Sequence, residues 1–121
     1  MSTSEAAFAL EAFRRISSRW KLSDNQQATL LGIPLNTMYR WYRKPESAKP
    51  DRDKLERISY IVGLLGGLAK VYGNNDNADA WLHRSNDDFG GRAPLERMLD
   101  GNVGDLAEVR AYVDRFANLI W

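Results

Sequence analysis

The chain has 121 residues and a formal net charge of +1, with 44% hydrophobic and 27% charged residues. That composition can bury the core of one domain or of two small helical units, and it argues against disorder. With no cysteine and one histidine, His83, it excludes a disulfide framework, a cysteine nucleophile and a multi-histidine or thiolate metal site.

No apolar run approaches the roughly 20 residues of a membrane-spanning helix. Residues 1–15 lack the basic-then-apolar layout of a signal peptide, so a cytosolic protein is expected. Charge is uneven along the chain. Residues 1–57 hold 11 Lys/Arg against 7 Asp/Glu, and residues 58–121 hold 6 against 9. The basic half suits an anionic partner such as nucleic acid.

Helical spacing recurs and strand-like alternation is not sustained. Ser4 is placed to cap a helix over about 5–20, whose apolar face is Ala9, Phe13, Ile16 and Trp20. Ser23 caps a short helix over Asp24–Leu31, and Gly32 stops it, since glycine tolerates a left-handed backbone. Pro34 suits the start of the next helix, Leu35–Arg43. Residues 44–50, with two prolines, read as a connector. A helix over about 51–72 follows, with Leu55, Ile58, Val62, Leu65, Ala69 and Tyr72 as its stripe. Gly63, Gly66 and Gly67 weaken it by roughly 1 kcal/mol each relative to alanine, and imply a closely packed neighbour. A turn at 73–77 leads to a helix over about 77–84, then a loop over 85–93. Pro94 opens a short helix to about Leu99, ended by Gly101. The last helix starts near 104–105, with Leu106, Val109, Val113, Phe116 and Ile120 on one face. The expected fold is all-α, with about seven helices in two units, 1–50 and 51–121.

Two constellations stand out. In Leu22–Arg43, two short helices meet across Gly32-Ile33. Ala28 lets them approach, and Leu31, Ile33, Met38 and Trp41 can wedge their angle. This layout resembles the helix-turn-helix of the Xre/Cro-like repressors, whose second helix enters the DNA major groove. Here that helix is Pro34–Lys44. Asn36, Tyr39 and Arg40 would then sit near base edges, because asparagine can pair two-pronged with adenine and arginine with guanine. Gln26, Gln27, Thr37, Arg43 and Lys44 would contact phosphates.

The second constellation begins at Trp81-Leu82. With Asn86, the Phe89-Gly90-Gly91-Arg92 loop, Pro94-Leu95, Met98-Leu99, Gly101 and the Val109/Tyr112/Val113 face, it resembles the toxin-binding domain of the Xre/MbcA/ParS antitoxins. The resemblance implies a type II antitoxin. Its C-terminal domain would block an NAD-consuming RES-domain toxin. Its N-terminal domain would bind and repress its own operator as a homodimer on an inverted repeat. No cofactor is implied. Phe89, Gly90, Gly91, Arg92, Leu119, Ile120 and Trp121 are the residues expected to meet the toxin. Three large apolar residues at 119–121 suggest docking on the protein's own core, a second protomer or a partner. Gly90-Gly91 offers a loop without bulk. Arg92 could reach a partner carboxylate or pair with Asp87 or Asp88. Trp81 reads as core.

Enzyme chemistry finds little support. Asp87, Asp88 and His83 lack a supporting constellation for a cation, and Gly90-Gly91-Arg92 has no phosphate-loop spacing. No serine sits in a nucleophile elbow. The alternative to an antitoxin is a DNA-binding regulator without a toxin partner.

Overall fold

The computed structural model describes residues 3–120, with side chains from Ser4 to Leu119. Among them are seven α-helices and two 3-10 turns, and no strand. Among the described residues no helix is long and apolar enough to cross a membrane. The helices fall into two units, residues 1–62 and 63–121.

In the first unit, α1 (Thr3–Arg19) buries Ala6, Leu10, Phe13, Ile16 and Ser17, with Trp20 just beyond its end. Ser4, the expected cap, lies inside the helix, and Ala9 is only half-buried. Leu10 and Ala6 carry the first turns of the face instead. The helix ends on a paired cap, in which Lys21 N–H donates to Ser18 C=O (3.1 Å) and Leu22 N–H to Ser17 C=O (2.9 Å). Lys21 sits at φ +58 to make it.

The next helix, α2 (Asp24–Leu31), opens on a reciprocal cap. Ser23 Oγ accepts from Gln26 N–H at 3.1 Å, and Gln26 Oε1 accepts from Ser23 N–H at 2.9 Å. It closes at Gly32 in the left-handed region, as the glycine predicts. Pro34, extended at φ −62 and ψ 151, precedes α3 (Leu35–Arg43). Ala28, Leu30, Leu31, Met38 and Trp41 are buried and set the α2–α3 angle, with Ile33 half-buried. The expected connector contains a 3-10 turn, Pro45–Ser47, which contacts both α1 and α3 and places Ala48 in the core.

The long helix α4 (Arg52–Tyr72) keeps Ile58 of the expected stripe but not its other members. Arg57, Ile58, Ile61, Leu64 and Leu68 are buried, whereas Val62 is 43% exposed and Ala69 is exposed. The helix is apolar on more than one side, so periodicity alone selects an adjacent face. Its first half belongs to the first unit, because Arg57 Nη1 donates to the Thr29 and Leu30 carbonyls at the end of α2. The two compact units meet at 62/63, inside this helix.

In the second unit, α5 (Asn75–His83) starts earlier than expected. Asn74 Oδ1 accepts from Asn77 N–H at 2.9 Å, so the asparagine run caps a helix rather than forming a separate turn. A 3-10 turn, Asp87–Phe89, precedes α6 (Pro94–Met98), and α7 spans Val103–Ile120. Leu106, Val109, Val113 and Ala117 form the buried face of α7. Phe116, expected there, is 44% exposed. The Ile120 side chain lies outside the described set. The tight neighbour implied by the α4 glycines is α7: a Cβ on Gly63 would collide with the Arg110 guanidinium, and one on Gly67 would lie 2.9 Å from Val113 Cγ1. Gly66 faces open space.

Candidate functional site

The helix-turn-helix face is built by α2 and α3. Met38 and Trp41 point into the core, which leaves Asn36, Arg40, Arg43 and Lys44 exposed. Two tyrosines one turn apart clasp two α2 residues. Tyr39 Oη donates to Asp24 Oδ2 at 2.6 Å, and Tyr42 Oη donates to Gln27 Oε1 at 2.8 Å. Gln27 Nε2 in turn donates to Leu22 C=O at 3.0 Å.

Gln26 and Gln27 thus fix α2, the first through its cap and the second through the clasp. Tyr39 remains 38% exposed while its hydroxyl is engaged. Thr37 is half-buried, and its N–H donates to Asn36 Oδ1 at 2.9 Å. The hydrogen bond to Asp24 raises the Tyr39 hydroxyl pKa, and burial raises that of Tyr42. Both stay protonated donors at neutral pH, so the clasp persists.

Sequence reasoning misses the α1 wall beside this face. Arg14, Ser18 and Lys21 border a recess with Asp24, Tyr39 and Arg43. The Arg14 guanidinium carbon lies 4.3 Å from the Tyr42 ring centroid. The available signal was the spacing of Arg14 and Ser18, four apart on one helical face, with Lys21 joining them from the cap that follows α1.

In the second unit an aromatic group organises the 85–93 loop. Trp81 stacks on Tyr112 with centroids 6.0 Å apart, Phe89 meets Tyr112 at 4.9 Å, and Phe116 continues the group 5.1 Å from Tyr112. Trp81 and Phe89 are buried, so Phe89 anchors the loop from below. Tyr112 Oη donates to Asp88 Oδ2 at 2.6 Å, which raises the tyrosine pKa.

The loop closes on itself. Asn86 N–H donates to Arg92 C=O, Gly90 N–H to Asp87 C=O and Gly91 N–H to Asn86 C=O. Asp88 N–H donates to Asn86 Oδ1, Phe89 N–H to Asn86 C=O and Arg92 N–H to Phe89 C=O. Gly90 and Gly91 stand at φ +68 and +83, at the exposed tip.

Arg92 pairs with neither Asp87 nor Asp88. Its guanidinium forms a two-pronged bridge to Asp100, at 2.8 and 3.0 Å, and also donates to Glu96 C=O. The loop reverses at the glycines and carries Arg92 away from the two aspartates toward the end of α6. Arg97 joins the same set through Asp100, Asp105 and Glu108, bracing α6 against α7.

Leu119 is 83% exposed and, with Phe116 and Arg115, borders a recess of about 580 Å3 over Phe89 and Tyr112. The Ile120 side chain and Trp121 lie outside the described residues.

Comparison with known proteins gives both units a counterpart. Residues 1–63 match the antitoxin Xre-like helix-turn-helix domain, and residues 68–118 match the antitoxin Xre/MbcA/ParS C-terminal toxin-binding domain. An uncharacterised protein, y4oB, of Sinorhizobium fredii (strain NBRC 101917 / NGR234) is 41% identical over 106 residues, covering 87% of this chain and 81% of that protein. A helix-turn-helix unit and a toxin-binding unit in one chain, each matched to its antitoxin counterpart, lead to one conclusion: the chain belongs to the Xre/MbcA/ParS-type antitoxins.

Proposed function

We propose that this antitoxin acts in the cytoplasm, neutralises an NAD-consuming RES-domain toxin by occluding its active site, and represses its own operon as a homodimer on an inverted-repeat operator. It works by occlusion and DNA binding, without catalysis of its own. Toxin contact falls to the Phe89-Gly90-Gly91-Arg92 loop and to Leu119, Ile120 and Trp121. DNA contact falls to Asn36, Tyr39 and Arg40 at bases and to Gln26, Gln27, Thr37, Arg43 and Lys44 at phosphates. The observation that carries this reading is the pairing, in one chain, of an exposed cationic α3 face with a matched toxin-binding unit. The exposed Phe116 and Leu119 beside an aromatic recess support a protein partner for the second unit.

The test is co-expression with the product of the neighbouring reading frame, together with gel-shift on the upstream promoter. Rescue of growth and co-purification are expected, as is retardation of the promoter duplex. Arg40→Ala should weaken operator binding by about 1–3 kcal/mol and relax one base preference. A chain that ignores the neighbouring product refutes the toxin reading, and equal wild-type affinity for operator and scrambled DNA refutes the α3 assignment.

A further inference from the structure

The recess between α1, α2 and α3 encloses about 700 Å3. Three cations border it, Arg14, Lys21 and Arg43, against one acid, Asp24. The Asp24 carboxylate already accepts the Tyr39 hydroxyl. Arg14 is held by the face of the Tyr42 ring, which leaves the edge of its guanidinium, with its N–H forks, available to an anion. The ring is itself fixed by Gln27, so the cation is pre-positioned.

The backbone adds an independent observation. Helices α1 and α2 end on the same paired cap. In α2 the left-handed position is Gly32, with its N–H on Thr29 C=O and Ile33 N–H on Ala28 C=O. In α1 it is Lys21, at φ +58. A side chain there is strained where glycine would not be. Lys21 is exposed, so packing does not offset that strain. What the position gains is an ammonium at the mouth of the recess, and a strained residue of this kind points to function.

We propose that this recess is a second DNA contact, in which Arg14 and Lys21 of the α1 wall, with Arg43, neutralise backbone phosphates beside the groove that α3 reads. The inference rests on the DNA reading of α3. Tyr39 and Arg43 border the recess and also belong to the α3 face that carries Asn36 and Arg40, at spacings of three and four residues. Contacts to phosphate set register and affinity without reading sequence.

The experiment titrates the full chain against its upstream duplex and a scrambled duplex of equal length, by fluorescence anisotropy, from about 50 to about 200 mM salt. Lys21→Gly is the decisive variant, because it relieves the left-handed strain while deleting one charge. It should melt no lower than the wild type. Its salt slope should fall by about 0.9, which at 0.1 M salt is about an eightfold loss of affinity on both duplexes, with 1 M as the reference. Arg14→Gln should act alike, and the double variant should lose about 60-fold. The ratio of operator to scrambled affinity should not move.

Unchanged slopes in both variants, with a wild type that binds DNA, overturn the recess and leave α3 intact as the reading helix. A loss confined to the operator duplex overturns it as well, since phosphate contacts are blind to sequence. Failure of the wild type to bind either duplex overturns the α3 reading and this inference together.

Discussion

Gly32→Ala tests the joint that aims α3. Gly32 holds φ +72 and ψ +32, and alanine in that backbone costs about 1–2 kcal/mol. The added Cβ would lie 2.6 Å from Arg57 Cζ. That guanidinium ends a flexible side chain, but it is anchored. Its Nη1 donates to the Thr29 and Leu30 carbonyls at 3.4 and 3.3 Å, and its Nε donates to Asp53 Oδ2 at 3.0 Å. The Arg57 side chain is only 10% exposed. Hydrogen bonds to a charged group contribute about 1.5–3 kcal/mol, and these carbonyl bonds are long, so about 1.5 kcal/mol is lost when the group backs away. Gly32→Ala should therefore cost about 3 kcal/mol, a large share of a typical domain stability of about 5–15 kcal/mol.

In an Arg57→Ala background only the left-handed cost of about 1–2 kcal/mol should remain, leaving a coupling of about 1.5 kcal/mol. Urea unfolding of the full chain by circular dichroism measures the totals. Hydrogen exchange at α2 and α3 amides assigns the loss to the first unit. An equal cost in both backgrounds would refute the collision with Arg57, and a cost below about 0.5 kcal/mol would refute the backbone argument too.

Adjacent glycines in α4 should respond in opposite directions. Gly66→Ala meets open space and should raise stability by about 1 kcal/mol through helix propensity. Gly67→Ala presses on Val113, and overpacking of about 1–3 kcal/mol should exceed that gain, so its melting temperature should fall. Shifts of the same sign would refute the close approach of α4 and α7. Acid should act partly through Asp100, whose carboxyl is held below the usual range by the Arg92 hydrogen bond. A depressed folded pKa means that its stabilisation is complete above the unfolded carboxylate range near about 3.9 and vanishes as pH falls through the folded value. Between about pH 5 and about pH 2.5 the wild type should lose more thermal stability than Asp100→Asn. Identical losses would show that the bridge contributes nothing.

Local signals were legible where one residue decides the geometry. Ser23, Gly32 and Pro34 mark the ends of α2 and α3 because capping and left-handed turns depend on few atoms. The Xre/MbcA/ParS motif from Trp81 onward was equally plain, since it rests on several residue types at set spacings. The buried side of α4 was not legible. Its apolar residues cover more than one face, and the choice between Val62 and Ile61 is made by neighbours distant in sequence. Nor could spacing reveal that Arg92 turns to Asp100, because two left-handed glycines just before it reverse the chain away from Asp87 and Asp88. The Tyr39 and Tyr42 clasp needs two helices in place before either hydroxyl finds its acceptor.

The self-closed loop at 85–93 limits how another molecule can use it. The amide hydrogens of Asn86 and of Asp88 to Arg92 are already spent inside the turn. A visitor cannot extend a strand along them or seat an anion on them. It must engage carbonyl lone pairs and the side chains around the tip. Since the turn is held by its own hydrogen bonds, little freedom is surrendered at the moment of capture. Substitutions around that tip should then register mainly as shortened residence times, with arrival rates hardly altered.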